Sequence, residues 1–392
     1  MLRQAEAPDF YDYPPCPLRA VTVDGNTVIL RWGDHKGHLS ATWLRENTVG
    51  HGVDPVTREG IADPAELRRH RVTKLEVVDG DLEVRWDDGL TYRFPSGWLH
   101  SFVAGDQLTD AGLPDPIPWV TTAAPDHMEG ERRTDLPTFV WPTTPSGTEL
   151  LALLTQLMAF GAIRLTDGPV DHDALEGFVR RIAHLRDTNF GHVWDVVAKV
   201  DPDSTAYTGR SLVPHTDLPS RENPPGFQAL HCVENSCVGG LNQISDALAI
   251  VGYLADHEPE IHDALTTLNW IFQSKGKDID HRWRGPIVDV GSDGSLVIRG
   301  FSPVRAYPDM DPEDVDRSYD AIARFHELGA DPAFQIESSF QPGDAVIFDN
   351  RRMLHARSAY DPTAGTRHLR GCYFELDDVR STMRVLTRTL RR

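Results

Sequence analysis

The chain has 392 residues, of which 40% are hydrophobic and 25% charged, with a formal net charge of −20 at pH 7. This composition belongs to a soluble globular protein of about two domains, and no apolar run approaches the length of a membrane span. The negative balance disfavours nucleic acid and anionic lipid as partners in bulk, yet it is compatible with a site for a cationic ligand.

The first twenty residues carry Glu6, Asp9, Asp12 and several prolines with no apolar segment. Neither a secretory signal nor an Arg-rich transit peptide is expected, and the cytoplasm is the expected compartment. Residues 19–31 and 73–94 alternate apolar and polar in short runs broken by Asp24-Gly25, Asp79-Gly80 and Asp88-Gly89, which are hairpin signatures. Residues 1–110 therefore read as a small β-rich domain, with His38 to Asn47 as a turn or short helical insertion. From 111 to 145 the chain is rich in Pro, Thr and Asp with little periodicity, so a linker or wrapping segment is expected there.

The remainder, 146–392, opens with a helix whose Leu150, Leu151, Leu154, Leu157 and Met158 share a face and which Gly161 ends. A short buried strand from Ala162 to Leu165 follows, and then a second amphipathic helix from Asp171 through Leu185. Strand-like runs recur near 211–217, 227–233, 241–245, 267–273, 286–299, 334–340, 345–349 and 367–375. One helix interrupts them, from Pro312 to Leu328, with Asp311 as its cap and Gly329 as its stop. The fold class expected is α+β, mainly β: a jelly roll, or double-stranded β-helix, buttressed by helices. The four cysteines, Cys16, Cys232, Cys237 and Cys372, are scattered with no C-x-x-C pair, which argues against a disulfide framework and a cysteine zinc cluster and fits a reduced compartment.

In the run Ser211 to Pro219, S-L-V-P-H-T-D-L-P, an extended backbone puts His215 and Asp217 on one face. Alone the pair means little, since seventeen histidines give roughly one H-x-D by chance. A third ligand is available in Q-P-G-D-A-V-I-F-D-N-R-R-M-L-H, where a Pro-Gly-Asp turn feeds an apolar strand and the following segment delivers His355. Two histidines and a carboxylate form the facial triad of non-haem iron(II) oxygenases, which leaves positions for a co-substrate and O₂. Arg367 lies twelve residues further on, and its guanidinium can hold the distal carboxylate of 2-oxoglutarate bidentately. On a strand it shares a face with Leu369, Gly371 and Tyr373, whereas Arg370 points the other way and reads as solvated.

With H-T-D-L-P, P-P-G-F-Q-A-L-H-C, G-G-L-N-Q-I-S-D-A, P-G-D-A-V-I-F-D-N-R-R-M-L-H-A-R and R-H-L-R-G-C-Y assembled in order, the sequence resembles the γ-butyrobetaine and trimethyllysine hydroxylases among the 2-oxoglutarate-dependent dioxygenases. The resemblance implies Fe(II) at His215, Asp217 and His355, 2-oxoglutarate on Arg367, Leu230 lining its pocket and Asn242 near its carboxylate. It also implies an aromatic cage for a trimethylammonium group at Phe190, Trp194, Tyr207 and Tyr373, where cation–π attraction suits a cation that donates no hydrogen bond. Ser204 and Ser302 match the positions where relatives carry asparagines near the substrate carboxylate. Many relatives hold a structural zinc through cysteines after W-L-R-[DE]-N. Here Trp43-Leu44-Arg45-Glu46-Asn47 is followed by T-V-G-H-G-V-D, so no structural zinc is expected.

The reaction expected is hydroxylation of a C–H bond of a small quaternary ammonium compound, with 2-oxoglutarate and O₂ giving succinate and CO₂, as in carnitine biosynthesis. γ-Butyrobetaine is the first candidate substrate; trimethyllysine, a trimethylammonio-phosphonate and a secondary metabolite are alternatives. A non-catalytic jelly-roll binding protein and a zinc hydrolase are competing classes, and Arg367 disfavours the hydrolase. A homodimer is implied by the resemblance only.

Overall fold

The structure, a computed structural model, describes residues 3–4, 13–105, 113–120, 133–198, 208–291, 294–300 and 305–390. The chain divides into two compact units, Met1–Ala111 and Gly112–Arg392. Among the described residues no helix is long and apolar enough to cross a membrane.

In the first unit, strands β1 (Arg3–Gln4), β2 (Ala20–Asp24), β3 (Thr27–Trp32) and β4 (His35–Ser40) precede helices α1 (Ala41–Glu46) and α2 (Pro64–Leu67). Strands β5 (Val72–Val78), β6 (Asp81–Trp86) and β7 (Thr91–Phe94) and helix α3 (Ser96–Ala104) complete it. Each Asp-Gly pair closes a hairpin. At Asp79-Gly80 both residues have positive φ, 53° and 85°, as a tight turn between right-twisted strands requires. The sheets run β2-β3-β4 and β1-β7-β6-β5. Alternation sends Val28, Leu30 and Trp32 from β3 and Leu82, Val84 and Trp86 from β6 into one core with Trp98 and Leu99 of α3.

The second unit begins with β8 (Thr138–Val140), α4 (Gly147–Phe160), β9 (Ala162–Thr166), α5 (Ala174–Val179) and β10 (Val193–Val196). The site-bearing strands β11 (Leu212–His215), β12 (Phe227–Asn235) and β13 (Asn242–Asp246) follow. An insertion comprises α6 (Ala247–His257), α7 (Pro259–Thr267), β14 (Trp270–Lys275), β15 (Asp280–Gly285), β16 (Val288–Val290), β17 (Leu296–Ile298), β18 (Arg305–Pro308) and α8 (Val315–Ala330). The chain then returns through β19 (Gln335–Ser338), β20 (Ala345–Asp349), β21 (Met353–Arg357) and β22 (Arg367–Phe374) to α9 (Leu376–Leu390).

Two sheets organise this unit, β10-β22-β12-β20-β9-β8 and β11-β21-β13-β19. The chain changes sheet between β11 and β12, β12 and β13, β19 and β20, β20 and β21, and β21 and β22. Period-two alternation decides which residues meet. One face of the six-stranded sheet sends Phe227, Ala229, Ala345, Ile347, Cys372 and Phe374 against α4, α5 and α9. Its other face packs Cys232, Val346, Phe348 and Leu369 with Ile244, Ile336 and Met353 of the four-stranded sheet. The space between the sheets is therefore lined by the odd-numbered residues of β21 and β22 and the even-numbered ones of β12 and β13.

Three expectations need correction. The 312–328 helix starts later: Pro312–Asp314 is a 3-10 turn, Asp314 precedes the α-helix, and Gly329 lies inside its last turn rather than ending it. That helix is also joined by α6 and α7, and the nearly all-apolar first stretch of α6, A-L-A-I-V-G-Y-L, hides its helical period. The second amphipathic helix is short, only Ala174–Val179, and continues as turns through Ile182.

Candidate active site

His215 ends β11, and it is the cross-strand partner of His355 in β21. Their rings lie 4.2 Å apart between centroids. Asp217 is not on the strand: the run becomes a loop after His215, and Leu218 takes a φ of 55°. The carboxylate reaches the histidines because Asn350, in the turn between β20 and β21, clamps the loop. Its Oδ1 accepts from the Asp217 amide at 2.7 Å, and its Nδ2 donates to the Asp217 carbonyl at 3.0 Å. Asp217 Oδ1 then lies 3.6 Å from His215 Nε2, and Oδ2 lies 3.7 Å from His355 Nε2. One ligand atom from each residue can be chosen so that all three fall within 4.8 Å of one another.

The protonation states suit a cation. Burial, then the neighbouring His215, push His355 down to about 3, so its imidazole is neutral near pH 7. The Nδ1 of His215 sits 2.8 Å from the Val213 carbonyl, which fixes the proton there and leaves Nε2 as the free lone pair. Burial pushes the Asp217 carboxyl up, but His355, His215 and hydrogen bonds from Tyr373 and Gln228 outweigh it and hold it below its ordinary value. The Tyr373 hydroxyl donates to Oδ2 at 2.7 Å. Two imidazoles and one carboxylate are a donor set that fits iron(II).

Arg367 opens β22 and is buried, and its Nη2 donates to Asn242 Oδ1 at 3.0 Å. Burial, then the nearby Arg357, lower it to about 10, so it stays charged at neutral pH. Arg367 Nε and Asn242 Nδ2 are buried donors with no acceptor among the described residues. Such donors cost roughly 1–3 kcal/mol each when left unpaired, so this corner is built for an anion. A carboxylate of 2-oxoglutarate fits it. Gly240 lets the strand approach, since a Cβ there would come within 3.1 Å of Arg367 Nε. Leu230 of β12 is partly buried against the same inter-sheet core.

Aromatic rings run outward from Asp217. Tyr373 lies 4.4 Å from Trp194, and Trp194 lies 6.0 Å from Phe190, which is partly exposed. The cross-strand neighbour of Trp194 is Gly371, where a Cβ would strike the indole at 2.8 Å. Tyr207, Ser204 and Ser302 lie outside the described residues. Arg370 is not solvated: it donates to the His172 carbonyl and lies 3.3 Å from Asp195.

Gln228, Asn350 and Arg357 escaped the reading of the sequence as site residues. Gln228 alternates with Leu230 on β12, and Arg357 with His355 on β21, so strand period was the available signal. In the first unit a second group, His70, Asp87 and Asp88, comes within ligand range. It is a surface network, because Asp88 pairs with Arg45 and His70 Nδ1 lies 3.1 Å from Asp87.

A His-Asp-His set beside a buried arginine whose Nε has no acceptor among the described residues defines a non-haem iron and 2-oxoglutarate oxygenase. Residues 127–373 match the model of the taurine catabolism dioxygenase TauD, TfdA family, and the chain belongs to that family. It is 34% identical to a γ-butyrobetaine dioxygenase of Pseudomonas sp. (strain AK-1), over 95% of this chain and 97% of the relative. The human γ-butyrobetaine dioxygenase is 27% identical over 94% and 96% of the two chains, and the trimethyllysine dioxygenase of Meyerozyma guilliermondii 29% over 93% and 94%. Among solved structures, that of AAD-2 in complex with Mn(II) and N-oxalylglycine superposes with a TM-score of 0.50 at 15% identity, covering 62% of this chain and 96% of that one. It supports the fold alone.

Proposed function

We propose that the protein hydroxylates a C–H bond of a small trimethylammonium compound, γ-butyrobetaine or a close analogue, with 2-oxoglutarate as co-substrate. The observation that carries this reading is the pair of buried donors with no acceptor among the described residues, Arg367 Nε and Asn242 Nδ2, beside a His-Asp-His set. The aromatic run Phe190, Trp194 and Tyr373 and the likeness to γ-butyrobetaine and trimethyllysine dioxygenases support the substrate class. The two sheets read as a jelly roll, since consecutive strands alternate between them.

His215, Asp217 and His355 would hold iron(II), and Arg367 and Asn242 the distal carboxylate of 2-oxoglutarate. Together the bound metal and co-substrate supply O₂ activation, with oxidative decarboxylation to succinate and CO₂. The chain contributes orientation: Gln228 and Tyr373 fix the Asp217 carboxylate, the Val213 carbonyl fixes the His215 tautomer, and the aromatic residues exclude water around the cation. Of the substrate-side assignments, Tyr207, Ser204 and Ser302 rest on sequence resemblance.

The wider assignment is a zinc-free N-terminal β-rich domain over 1–110, a connecting segment over 111–145 and the oxygenase domain over 146–392, in a cytoplasmic homodimer that binds no nucleic acid.

The test is succinate release by the Fe(II)-loaded protein with γ-butyrobetaine, trimethyllysine and a trimethylammonio-phosphonate. Release that depends on one of these cations, and that His215→Ala abolishes, is the result expected. No stimulation by any of them overturns the substrate class, and turnover retained by His215→Ala overturns the ligand assignment.

A further inference from the structure

Asp217 lies near the head of a stretch, 216–226, that contains no helix or strand, yet side chains from elsewhere hold it almost carbonyl by carbonyl. Arg299, which is 2% exposed, donates through Nη1 to the carbonyls of Pro219 at 2.7 Å and Arg221 at 2.6 Å, and through Nη2 to that of Glu222 at 2.9 Å. Arg186 donates to the Asn223 carbonyl at 2.7 Å, and Arg351 to that of Pro224 at 3.1 Å. Asn350, which holds both backbone groups of Asp217, also closes the far end by donating to the Pro225 carbonyl at 3.3 Å.

These donors come from separate parts of the second unit. Asn350 and Arg351 stand in the turn between β20 and β21, Arg186 lies beyond α5 and pairs with Glu375 at 2.8 Å, and Arg299 follows β17. Arg299 is itself fixed twice: its amide donates to the Ile287 carbonyl at 2.8 Å, and its guanidinium lies 3.3 Å from the centroid of the Trp283 ring of β15. A planar guanidinium stacked on an indole loses little freedom per hydrogen bond, so it sets the direction of the carbonyls it binds as well as their distance. Between two of the clamped residues, Asp217 and Pro219, Leu218 holds a φ of 55°. That conformation is costly for leucine and persists only where the surroundings over-determine it.

We propose, on the reading of His215, Asp217 and His355 as the iron site, that Arg299 backed by Trp283 is a positioning residue for Asp217. It sets the loop in its metal-binding course before a metal arrives, so the insertion between β13 and β19 controls a ligand that it does not itself carry. A ligand loop ordered in advance spares metal binding the entropy of ordering it.

The test follows hydrogen exchange over 217–226 in the full-length, metal-free protein, together with anaerobic Fe(II) titration in the presence of 2-oxoglutarate. In wild type, Fe(II) is expected to slow exchange in the loop by less than about 3-fold, because the loop is already closed. Arg299→Met raises exchange in the metal-free loop at least about 10-fold, the range for losing a charged hydrogen bond, and weakens Fe(II) binding about 10- to 100-fold. Arg299→Lys recovers part of both. Trp283→Leu keeps the guanidinium and removes the ring beneath it, and it loses a smaller part of both; it carries the test if Arg299→Met does not fold. A wild-type loop that exchanges freely until Fe(II) arrives, or an Fe(II) affinity unchanged in Arg299→Met, overturns the proposal. So does a rise in exchange spread equally over β12 and β20, which marks a general loss of stability. Should wild type bind no Fe(II), the iron reading fails by itself, and exchange in the metal-free protein decides alone: a rise confined to 217–226 in Arg299→Met supports the preset loop, and no rise refutes it.

Discussion

Three side chains hold Asp217, and each acts on a different part of it. Asn350 fixes its backbone, Gln228 donates to the side chain, and the Tyr373 hydroxyl donates to Oδ2. Tyr373→Phe separates two duties, because it deletes the hydroxyl and keeps the ring beside Trp194. Groups that orient a metal ligand typically contribute about 10- to 100-fold in metal affinity. Anaerobic Fe(II) titration, read by the visible charge-transfer band formed with 2-oxoglutarate, should show a loss of that size. Unchanged Fe(II) affinity would contradict the role given to the hydroxyl. The ligands themselves were legible in the sequence from their order and residue types. Asn350 was not, because it works on a backbone amide and carbonyl that become its neighbours only when the loop folds.

At the level of elements, the position of His215 depends on a close approach between β11 and the end of β17. Gly300 donates its amide to Thr216 Oγ1 at 2.7 Å, and a Cβ on Gly300 would meet the Thr216 nitrogen at 2.4 Å and His215 Cα at 2.9 Å. Those neighbours are backbone and cannot swing aside. Gly300→Ala is therefore expected to destabilise the protein by about 1–3 kcal/mol and to lower Fe(II) affinity with it. Gly252, exposed in α6 with open space around its Cα, is the control: Gly252→Ala should stabilise by about 0.5–1 kcal/mol. Melting curves that move in the same direction for both would contradict this packing. Much of the element order could be read in advance, including the Asp-Gly hairpins, α4 and the P-G-D turn into β20. Helix α6 could not, since A-L-A-I-V-G-Y-L is apolar on every side and carries no stripe. The break of the S-L-V-P-H-T-D run after His215 was also hidden, because the left-handed φ of Leu218 is imposed by the surrounding loop and not by leucine.

Across the whole second unit, alternation along strands sorts the chemistry. Residues pointing to the helices are mostly apolar, with His231 and Arg370 as exceptions, while those pointing between the sheets include His355, Arg357, Arg367, Tyr373, Gln228 and Asn242. The sheets supply a rigid frame for His215 and His355, and the loop after β11 adds Asp217. A net charge of −20 contrasts with a buried corner where Arg367 Nε and Asn242 Nδ2 have no acceptor among the described residues, so the proposed anion recognition is local and not a property of the surface as a whole. The central claim is that O₂ is divided between co-substrate and substrate at His215, Asp217 and His355. Turnover under oxygen-18 gas in ordinary water, with mass spectrometry of both products, tests it most directly. Label in the succinate and in the new hydroxyl of the trimethylammonium product is the result expected; a hydroxylated product that carries no label, or that forms equally well without oxygen, would contradict it.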